Sequence, residues 1–242
     1  MAAQRFLAAS RPGGVMSACL LVSARMNSPI AADAPRLDAL LEMMLSLYQA
    51  KGEPGYKIDR AFRAPLQAEI SIPLLRQKLG PWEIARCSDP IYGQCQAEYV
   101  EHVNKRIAVE AASLLDPLRR PVVQTTNSWT KSYRLPLRMR RIDRVCWFAV
   151  ADRRSLLKVL KRVEYLGKKR SIGNGRVEAW DAMEVDEDYS WFASSPSGPV
   201  LMATLPFGPW LPDGLLGSRR GFGGCCPPYW HPDRYAEIVI PC

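Results

Sequence analysis

A glycine-rich basic segment occupies residues 161–177 and reads KRVEYLGKKRSIGNGRV. It follows an apolar, helix-like stretch and leads into alternating residues typical of a strand. Its glycines and cations are Gly167, Lys168, Lys169, Arg170, Gly173, Gly175 and Arg176. Glycines permit positive φ and a close approach of a ligand to the main chain, and cations attract a polyanion. The segment therefore predicts a polyanion-binding loop between a helix and a strand.

Positive charge is concentrated in one part of the chain. The 242 residues carry a formal net charge of +9. Residues 119–176 contain 17 lysines and arginines against three acidic residues, whereas residues 177–190 contain six acidic residues and no basic one. A regional excess of this size favours nucleic acid as the polyanion over an ordinary solvated basic surface.

The cysteines, the N-terminal residues and the lack of long apolar runs bear on metal binding and on cellular location. Seven cysteines form no C-x-x-C pair and two histidines cannot complete a repeated zinc module, so we expect no metal and a reduced, cytoplasmic setting. A metal cluster of Cys225, Cys226, His231 and Cys242 is the alternative to buried thiols. Residues 1–16 lack the long apolar region of a signal peptide, and we expect them to be disordered. The sequence contains no run of about 18 apolar residues, so it predicts no membrane-spanning helix.

Hydrophobic periodicity predicts the elements before the glycine-rich segment. They are a strand at 17–26, a helix at 35–50, a hairpin of strands at 68–73 and 82–88 around a turn at 79–81, a helix at 92–116 and a central strand at 145–151. Asp152 is the predicted N-cap of a helix that Gly167 ends, and a strand follows at 177–185.

A second basic segment, residues 121–144, is predicted to be irregular. Its rings and cations are Trp129, Lys131, Tyr133, Arg134, Arg138, Arg140 and Arg141. Flat rings among cations are typical of single-stranded nucleic-acid binding, through base stacking and phosphate contacts. An exposed hairpin whose rings pack on the body of the protein is the alternative.

The order of these elements predicts an α+β fold with a ferredoxin-like or RRM-like core. We expect the core to span residues 17–193, with an insertion at about 89–144. Residues 194–242 are rich in Gly and Pro, and we expect them to form an extension that packs on the core.

A helix followed by GKKRSIGNGRV at the end of a ferredoxin-like order resembles the glycine-rich loop of the RAMP superfamily of CRISPR-associated RNA-binding proteins. Three further pieces resemble one branch of it: residues 29–41, Leu205-Pro206 and the Pro-Pro-Tyr-Trp sequence at 227–230. That branch is the five-type subunit of type IV CRISPR effector complexes, which caps the 5′ handle of the guide RNA. The resemblance runs from about Ser17 to Cys242.

The resemblance implies a non-catalytic, cofactor-free guide-RNA (crRNA)-binding subunit that helps to nucleate an antiviral ribonucleoprotein in the prokaryotic cytoplasm. Its implied partners are the crRNA 5′ handle, the backbone and large subunits of the effector complex and, as a further candidate, target DNA near the guide 5′ end. The basic segment at 121–144 corresponds to a thumb-like hairpin. The implied RNA-binding residues of the loop are Gly167, Lys168, Lys169, Arg170, Ser171, Gly173, Asn174, Gly175 and Arg176.

One position departs from the family pattern. Asn174 stands between the last two glycines, where the family usually has an aromatic residue. A base-stacking role at this position therefore loses its support, although asparagine tolerates the left-handed conformation that such loops need.

Two enzyme classes remain as alternatives. A metal-independent RAMP endoribonuclease that processes CRISPR repeat RNA needs a general acid and a general base, usually with a histidine in one role, and His102 and His231 are both remote in sequence from the loop. The R-x-x-G-x-G pattern from Arg170 to Gly175 also matches the acetyl-CoA loop of acetyltransferases. That loop follows a strand and opens a helix, which is the reverse of the order predicted here.

Overall fold

A computed structural model describes residues 17–49, 70–106 and 132–242. Predictions on residues 1–16, on 50–69 and on 107–131, including Trp129 and Lys131, lie outside the described residues. The elements are β1 (Ala18–Met26), β2 (Ile30–Ala31), α1 (Leu37–Gln49), β3 (Arg76–Leu79), β4 (Trp82–Ala85), β5 (Ile91–Tyr92), β6 (Cys95–Lys105), β7 (Tyr133–Ile142), β8 (Arg144–Ala151), α2 (Arg153–Leu160), β9 (Val177–Glu184), β10 (Phe192–Ser195), β11 (Gly198–Leu201), β12 (Leu205–Pro206), β13 (Ser218–Gly224) and β14 (Tyr235–Pro241).

The fold is α+β and rich in strands, with mostly antiparallel sheets and two helices in the described part of the chain. The main sheet has the order β5-β8-β1-β9, and every neighbouring pair in it is antiparallel. Along the chain these strands alternate with the helices as strand, helix, two strands, helix and strand. Leucines of both helices share one hydrophobic core with alternate residues of β1, so the two helices cover the same face of the sheet.

Local sequence explains the main sheet and its helices. Leu20, Val22 and Ala24 alternate along β1 and are fully buried, as the period of a strand requires. In β8, Trp147 is also fully buried. Each such large side chain contributes about 1.5–3 kcal/mol through burial. The Asp152 carboxylate accepts a hydrogen bond from the Ser155 backbone N–H at 2.8 Å, which confirms the predicted N-cap of α2.

Four of the predicted elements are confirmed to within two residues of their ends: β1, α1, β8 and β9. The helix α2 begins where predicted but ends at Leu160, well before Gly167. The predicted hairpin keeps its turn, yet its first strand is β3, and the described part of the predicted strand, residues 70–73, forms no strand. Ile72, within that segment, is buried in the main core but is not paired in a sheet. The apolar residue that suggested a strand is therefore explained by burial alone.

The helix predicted at 92–116 is wrong over its described part. Residues 95–105 form β6, which pairs along its length with β7 in an antiparallel ribbon. The same pairing corrects the prediction that 121–144 is irregular, because β7 occupies its second half. Nearly all of β6 is exposed, so burial did not impose a period of two on its sequence. Its partner lies far along the chain, and pairing of this kind overrides local propensity.

The C-terminal residues have a hydrophobic cluster of their own. Strands β12, β14 and β13 form a three-stranded sheet in that order, and β10 pairs with β11. The cluster includes Leu205 and Ile238 of this sheet, and it takes in Leu79 and Ile84 from the β3–β4 hairpin. Ala85 of the same hairpin belongs to the main core. The hairpin therefore contacts both the main sheet and the C-terminal cluster.

A buried polar network joins the C-terminal residues to the start of α1. The Tyr229 hydroxyl donates to the Asp38 carboxylate at 2.6 Å, and burial raises the pKa of Tyr229 well above its ordinary value. The Arg36 guanidinium donates to the Thr204 carbonyl at 2.6 Å and lies 3.3 Å from the Asp89 carboxylate. Removing one partner from such a network leaves a buried charge uncompensated, which is strongly destabilising.

In the part of the chain that the structure describes, no helix combines the length and the apolar character needed to cross a membrane.

Candidate nucleic-acid interface

The glycine-rich segment forms a loop that is closed at its base by backbone hydrogen bonds. The Leu166 N–H donates to the Gly175 carbonyl and the Val177 N–H donates to the Glu164 carbonyl, each at 2.8 Å. Tyr165 and Arg176 form an isolated antiparallel bridge between these two bonds. The loop therefore projects as a hairpin-like turn ahead of β9, with a single 3-10 turn at its tip.

Three glycines in the loop adopt positive φ, for different reasons. A Cβ on Gly175, whose φ is 71°, would lie 1.9 Å from the Leu166 carbonyl oxygen. A Cβ on Gly167, whose φ is 77°, would lie 2.6 Å from the Ala31 carbonyl oxygen. Gly173, with φ 91°, has no atom within 4 Å of such a Cβ. Gly167 and Gly175 are thus required by close backbone packing, whereas at Gly173 only the positive φ favours glycine and the Cβ position faces open space.

The segment between β1 and β2 anchors the loop. The Lys168 N–H donates to the Ala31 carbonyl at 2.9 Å, and the Gly175 N–H donates to the Pro29 carbonyl at 2.8 Å. Ser28 has two roles, because its hydroxyl donates to the Gly173 carbonyl at 2.7 Å and accepts from the Arg176 N–H at 2.8 Å. Sequence reasoning missed Ser28, since nothing local marks a serine 145 positions away as a partner of the loop.

The cations of the loop point into solvent. Lys168, Arg170 and Arg176 are exposed, and none of them forms an ion pair with another residue that the structure describes. Lys169 is half-buried and adopts a left-handed backbone with φ 57°, which is unusual for a residue other than glycine. Ser171 is exposed beside them. The loop therefore offers three unpaired positive charges within a short stretch of backbone, as phosphate binding requires.

Asn174 is half-buried, and its Nδ2 atom has no hydrogen-bond partner among the described residues. A buried amide N–H that lacks an acceptor costs about 1–3 kcal/mol. The amide nitrogen is enclosed by the fold and is not offered to solvent.

The β6–β7 ribbon meets the loop at Tyr133. The ring of Tyr133 lies with its centroid 5.8 Å from the Lys169 Nζ atom and 6.0 Å from the Lys105 Nζ atom. The side chain of Tyr133 is 39% exposed, so part of its ring remains free for stacking. Ring, loop cation and ribbon cation thus share one surface, which brings together the two segments that the sequence indicated separately.

The arginines of β7 divide into free and engaged groups. Arg134 and Arg141 are exposed. Arg138 forms an exposed ion pair with Glu98, and this hydrogen bond lowers the pKa of Glu98. Arg140 is mostly covered: its guanidinium lies 4.1 Å from the centroid of the Tyr92 ring and pairs with Asp33. Arg140 therefore supports the base of the ribbon, while Arg134 and Arg141 remain open to solvent.

Two grooves flank Tyr165 beside the loop. One, of about 490 Å³, lies along β9 and is lined by Lys161, Arg176 and Trp180 among others. The other, of about 370 Å³, is lined by Met44, Arg162, Arg170 and Ser171. Tyr165 contributes to both, and its proximity to the loop is the only sequence signal that could have singled it out. The first groove sets Arg176 and Lys161 beside two rings but also carries Glu164 and Glu178, whereas the second sets two arginines beside Tyr165 and carries Glu164 alone, so the second suits a base and its phosphate better.

The two histidines lie in different parts of the fold. His102 is exposed on β6 and not on a helix as predicted. His231 is buried in the C-terminal region, where its Nδ1 accepts a hydrogen bond from the Asp233 N–H at 3.2 Å. His102 therefore lies on the ribbon that forms part of the candidate interface, whereas His231 is enclosed in the C-terminal region.

The adjacent cysteines are buried thiols. Cys225 and Cys226 are both buried, with their sulfur atoms 3.9 Å apart, whereas Cys242 is exposed. The hydrogen bond to Cys226, together with burial, raises the pKa of Cys225. Across residues 17–49, 70–106 and 132–242, no three His, Cys, Asp or Glu side chains are arranged to hold a metal ion.

Comparison with models of known protein families gives no match to this chain, and comparison with functionally characterised proteins gives none either.

Proposed function

We propose that the protein is a guide-RNA-binding subunit of a RAMP-type CRISPR ribonucleoprotein, the five-type subunit of a type IV effector complex, acting in the prokaryotic cytoplasm. In this role it caps the 5′ handle of the crRNA without cutting it and helps to nucleate the backbone of the complex. The observation that carries the proposal is the single surface formed by the glycine loop and the basic ribbon, where Lys169 meets Tyr133.

The topology of the main sheet supports the proposal. A βαββαβ chain order with the strand order β5-β8-β1-β9 and antiparallel neighbours is the arrangement of ferredoxin-like and RRM-like folds. RAMP proteins are built on such a core. The glycine loop precedes the last strand of this core, and the β6–β7 ribbon arises between its second and third strands.

Chemistry also favours RNA over a nucleotide cofactor. The phosphate loops of dinucleotide folds and acetyltransferases open a helix, whose N-terminus then faces the phosphates. Here the loop leads into β9, and only a three-residue 3-10 turn at Arg170–Ile172 lies within it. Charge reaches the ligand through separate exposed side chains, with a ring beside them. This arrangement suits a strand of RNA, which presents a run of phosphates and bases. The sequence of the target would then be read by base pairing with the guide and not by the protein.

A salt titration tests the proposal. Lys168, Lys169 and Arg170 are replaced together by alanine, and binding of crRNA carrying its 5′ handle is measured by fluorescence anisotropy across a range of salt concentrations. We expect affinity at low salt to fall by orders of magnitude. The slope of log affinity against log salt should fall in magnitude by about 2, since each lost contact to a single-stranded phosphate contributes about 0.7.

The matched control removes the same charge from exposed cations elsewhere, by replacing Lys78, Arg154 and Lys158 with alanine. Its salt slope should stay close to that of the parent protein. An unchanged slope in the loop variant would refute the proposed interface. Specific cleavage of repeat RNA by the purified protein, lost on substitution of one ionisable residue, would favour the ribonuclease instead.

A further inference from the structure

One face of the C-terminal sheet carries exposed aromatic rings. Phe207, Phe222 and Tyr235 are exposed by 40%, 74% and 42% respectively. The Phe222 and Tyr235 rings have their centroids 6.0 Å apart, and the Arg220 guanidinium lies 4.1 Å from the centroid of the Phe207 ring. We name these four residues, together with Glu237, the aromatic face.

Strand register explains why these side chains share a face. In the β13–β14 pairing, Phe222 is opposite Glu237, and Gly224 is opposite Tyr235. Alternation with a period of two puts Arg220 on the same side as Phe222. The Phe207 N–H donates to the Glu237 carbonyl at 2.8 Å, which continues the β12–β14 pairing by one step. Phe207 therefore lies opposite Glu237, on the same face of the sheet as Phe222.

The sequence of β13 adds a second observation. Arg220 to Gly223 reads R-G-F-G, which matches the first four positions of the RNP1 signature, K/R-G-F/Y-G/A-F-V-x-F/Y, of RNA-recognition sheets. In those sheets the exposed rings of neighbouring strands stack bases. The fifth position is Gly224 instead of an aromatic residue. The ring of Tyr235 on the facing strand stands opposite that position.

Packing accounts for the glycines of β13 but not for Phe222. A Cβ on Gly221 would lie 2.9 Å from the Ile240 Cδ1 atom, and a Cβ on Gly224 would lie 2.2 Å from the Tyr229 carbonyl oxygen. Close backbone packing therefore demands glycine at position 224, while at position 221 the end of the Ile240 side chain would have to give way. Phe222 projects to the side opposite Gly221 and leaves three quarters of its surface in water, an arrangement that costs free energy unless a ligand covers the ring.

We propose that the aromatic face is a second binding site, which takes single-stranded nucleic acid by stacking bases on Phe222 and Tyr235. Arg220 supplies the charge for a phosphate. Its ion pair with Glu237 spans 3.5 Å between side chains that are 67% and 53% exposed, so the pair is weak and a phosphate can replace it.

The chemistry of the aromatic face favours nucleic acid over a protein partner. Exposed rings beside an arginine on adjacent strands provide stacking surfaces and a phosphate contact together. A single base needs only one ring, because every base has a flat surface and stacks whatever its sequence. The proposal rests on the C-terminal sheet and the adjoining Phe207, and it stands whether or not the glycine loop binds guide RNA.

The test uses the full chain with Lys168, Lys169 and Arg170 already replaced by alanine, so that the loop does not mask a second site. Its probes are fluorescein-labelled decamers of uridine and of deoxythymidine. Phe222→Leu keeps the apolar character of the position and removes the ring, while Phe222→Tyr keeps the ring. Met183→Ala, at an apolar side chain that is 57% exposed on β9, is the matched control.

We expect Phe222→Leu to weaken oligomer binding about 5- to 150-fold, the range measured for one stacked base. Tyr235→Ala should act in the same direction, whereas Phe222→Tyr and Met183→Ala should change affinity less than twofold. A decamer with 4-thiouridine should crosslink at Phe222 or Tyr235. Equal affinity of the Phe222→Leu and parent proteins would overturn the proposal, and so would loss of a protein partner by Phe222→Leu with oligomer binding unchanged.

Discussion

Gly173 and Gly175 provide a matched pair of substitutions that separates loop stability from ligand contact. Both residues have positive φ, of 91° and 71°, so alanine at either position must adopt a left-handed backbone. That conformation costs about 1–2 kcal/mol in each variant. The surroundings differ, since the Cβ of Gly173→Ala meets open space and that of Gly175→Ala would lie 1.9 Å from the Leu166 carbonyl oxygen.

The collision at Gly175 cannot be relieved by a side-chain rotation. Ordinary Cβ contacts begin at 3.4 Å, so the two backbone segments must separate by more than 1 Å. That separation breaks or strains the bond from the Leu166 N–H to the Gly175 carbonyl and the bond from the Gly175 N–H to the Pro29 carbonyl. Each is worth about 0.5–1.5 kcal/mol. We therefore expect a loss of about 1–2 kcal/mol for Gly173→Ala and about 2–5 kcal/mol for Gly175→Ala.

Hydrogen exchange and RNA binding measure the two effects. In Gly175→Ala, the amides of Leu166 and Gly175 should exchange much faster, and the urea midpoint should fall below that of Gly173→Ala. Gly173→Ala should keep slow exchange at both amides yet bind handle RNA more weakly, because its methyl group projects from the open part of the loop. Equal protection and equal midpoints in the two variants would refute this account of the loop.

Two further predictions concern the buried network beneath α1. Tyr229→Phe removes the hydroxyl that donates to the buried Asp38 carboxylate, and urea denaturation should show a loss of about 1.5–3 kcal/mol, against less than about 0.5 kcal/mol for the exposed Tyr235→Phe. Burial raises the pKa of the Cys87 thiol from 9.0 to about 12 in the folded protein. Below pH 9 the thiol is neutral in both the folded and the unfolded state and stability is unaffected. Between pH 9 and 12 the thiol ionises only in the unfolded state, so the free energy of unfolding falls by about 1.4 kcal/mol per pH unit. Cys87→Ala should lose stability less steeply between pH 9 and 10 than the parent protein; an equally steep loss would contradict the assignment.

Local sequence predicted those elements whose own residues carry the signal. The apolar run of β8 and the alternation in β1 mark strands, and Asp152 marks the start of α2. The strand β6 could not be read in this way. Its residues are exposed and its hydrogen-bond partners belong to β7, about 30 to 50 positions further along the chain. Information about such a strand lies in the pairing and not in the segment itself.

The candidate site was predictable in residue type but not in arrangement. Glycines and cations identified the loop, yet the sequence does not show that Gly167 and Gly175 serve close packing while the Cβ position of Gly173 faces open space. It also does not reveal that Arg140 stacks on Tyr92 and pairs with Asp33 instead of facing solvent. Ser28 was invisible for the same reason, because its significance comes only from the folded backbone around it.

The short strand β2 explains how two distant segments form one surface. Ala31 pairs with Met139 of the ribbon, and its carbonyl accepts the Lys168 N–H of the loop. Ile30 and Ala31 are fully buried, so this connection is made of backbone and core rather than of exposed side chains. Replacement of loop cations by alanine should therefore leave the geometry of loop and ribbon unchanged. A ligand that contacts both segments finds them already aligned, which reduces the ordering cost of binding.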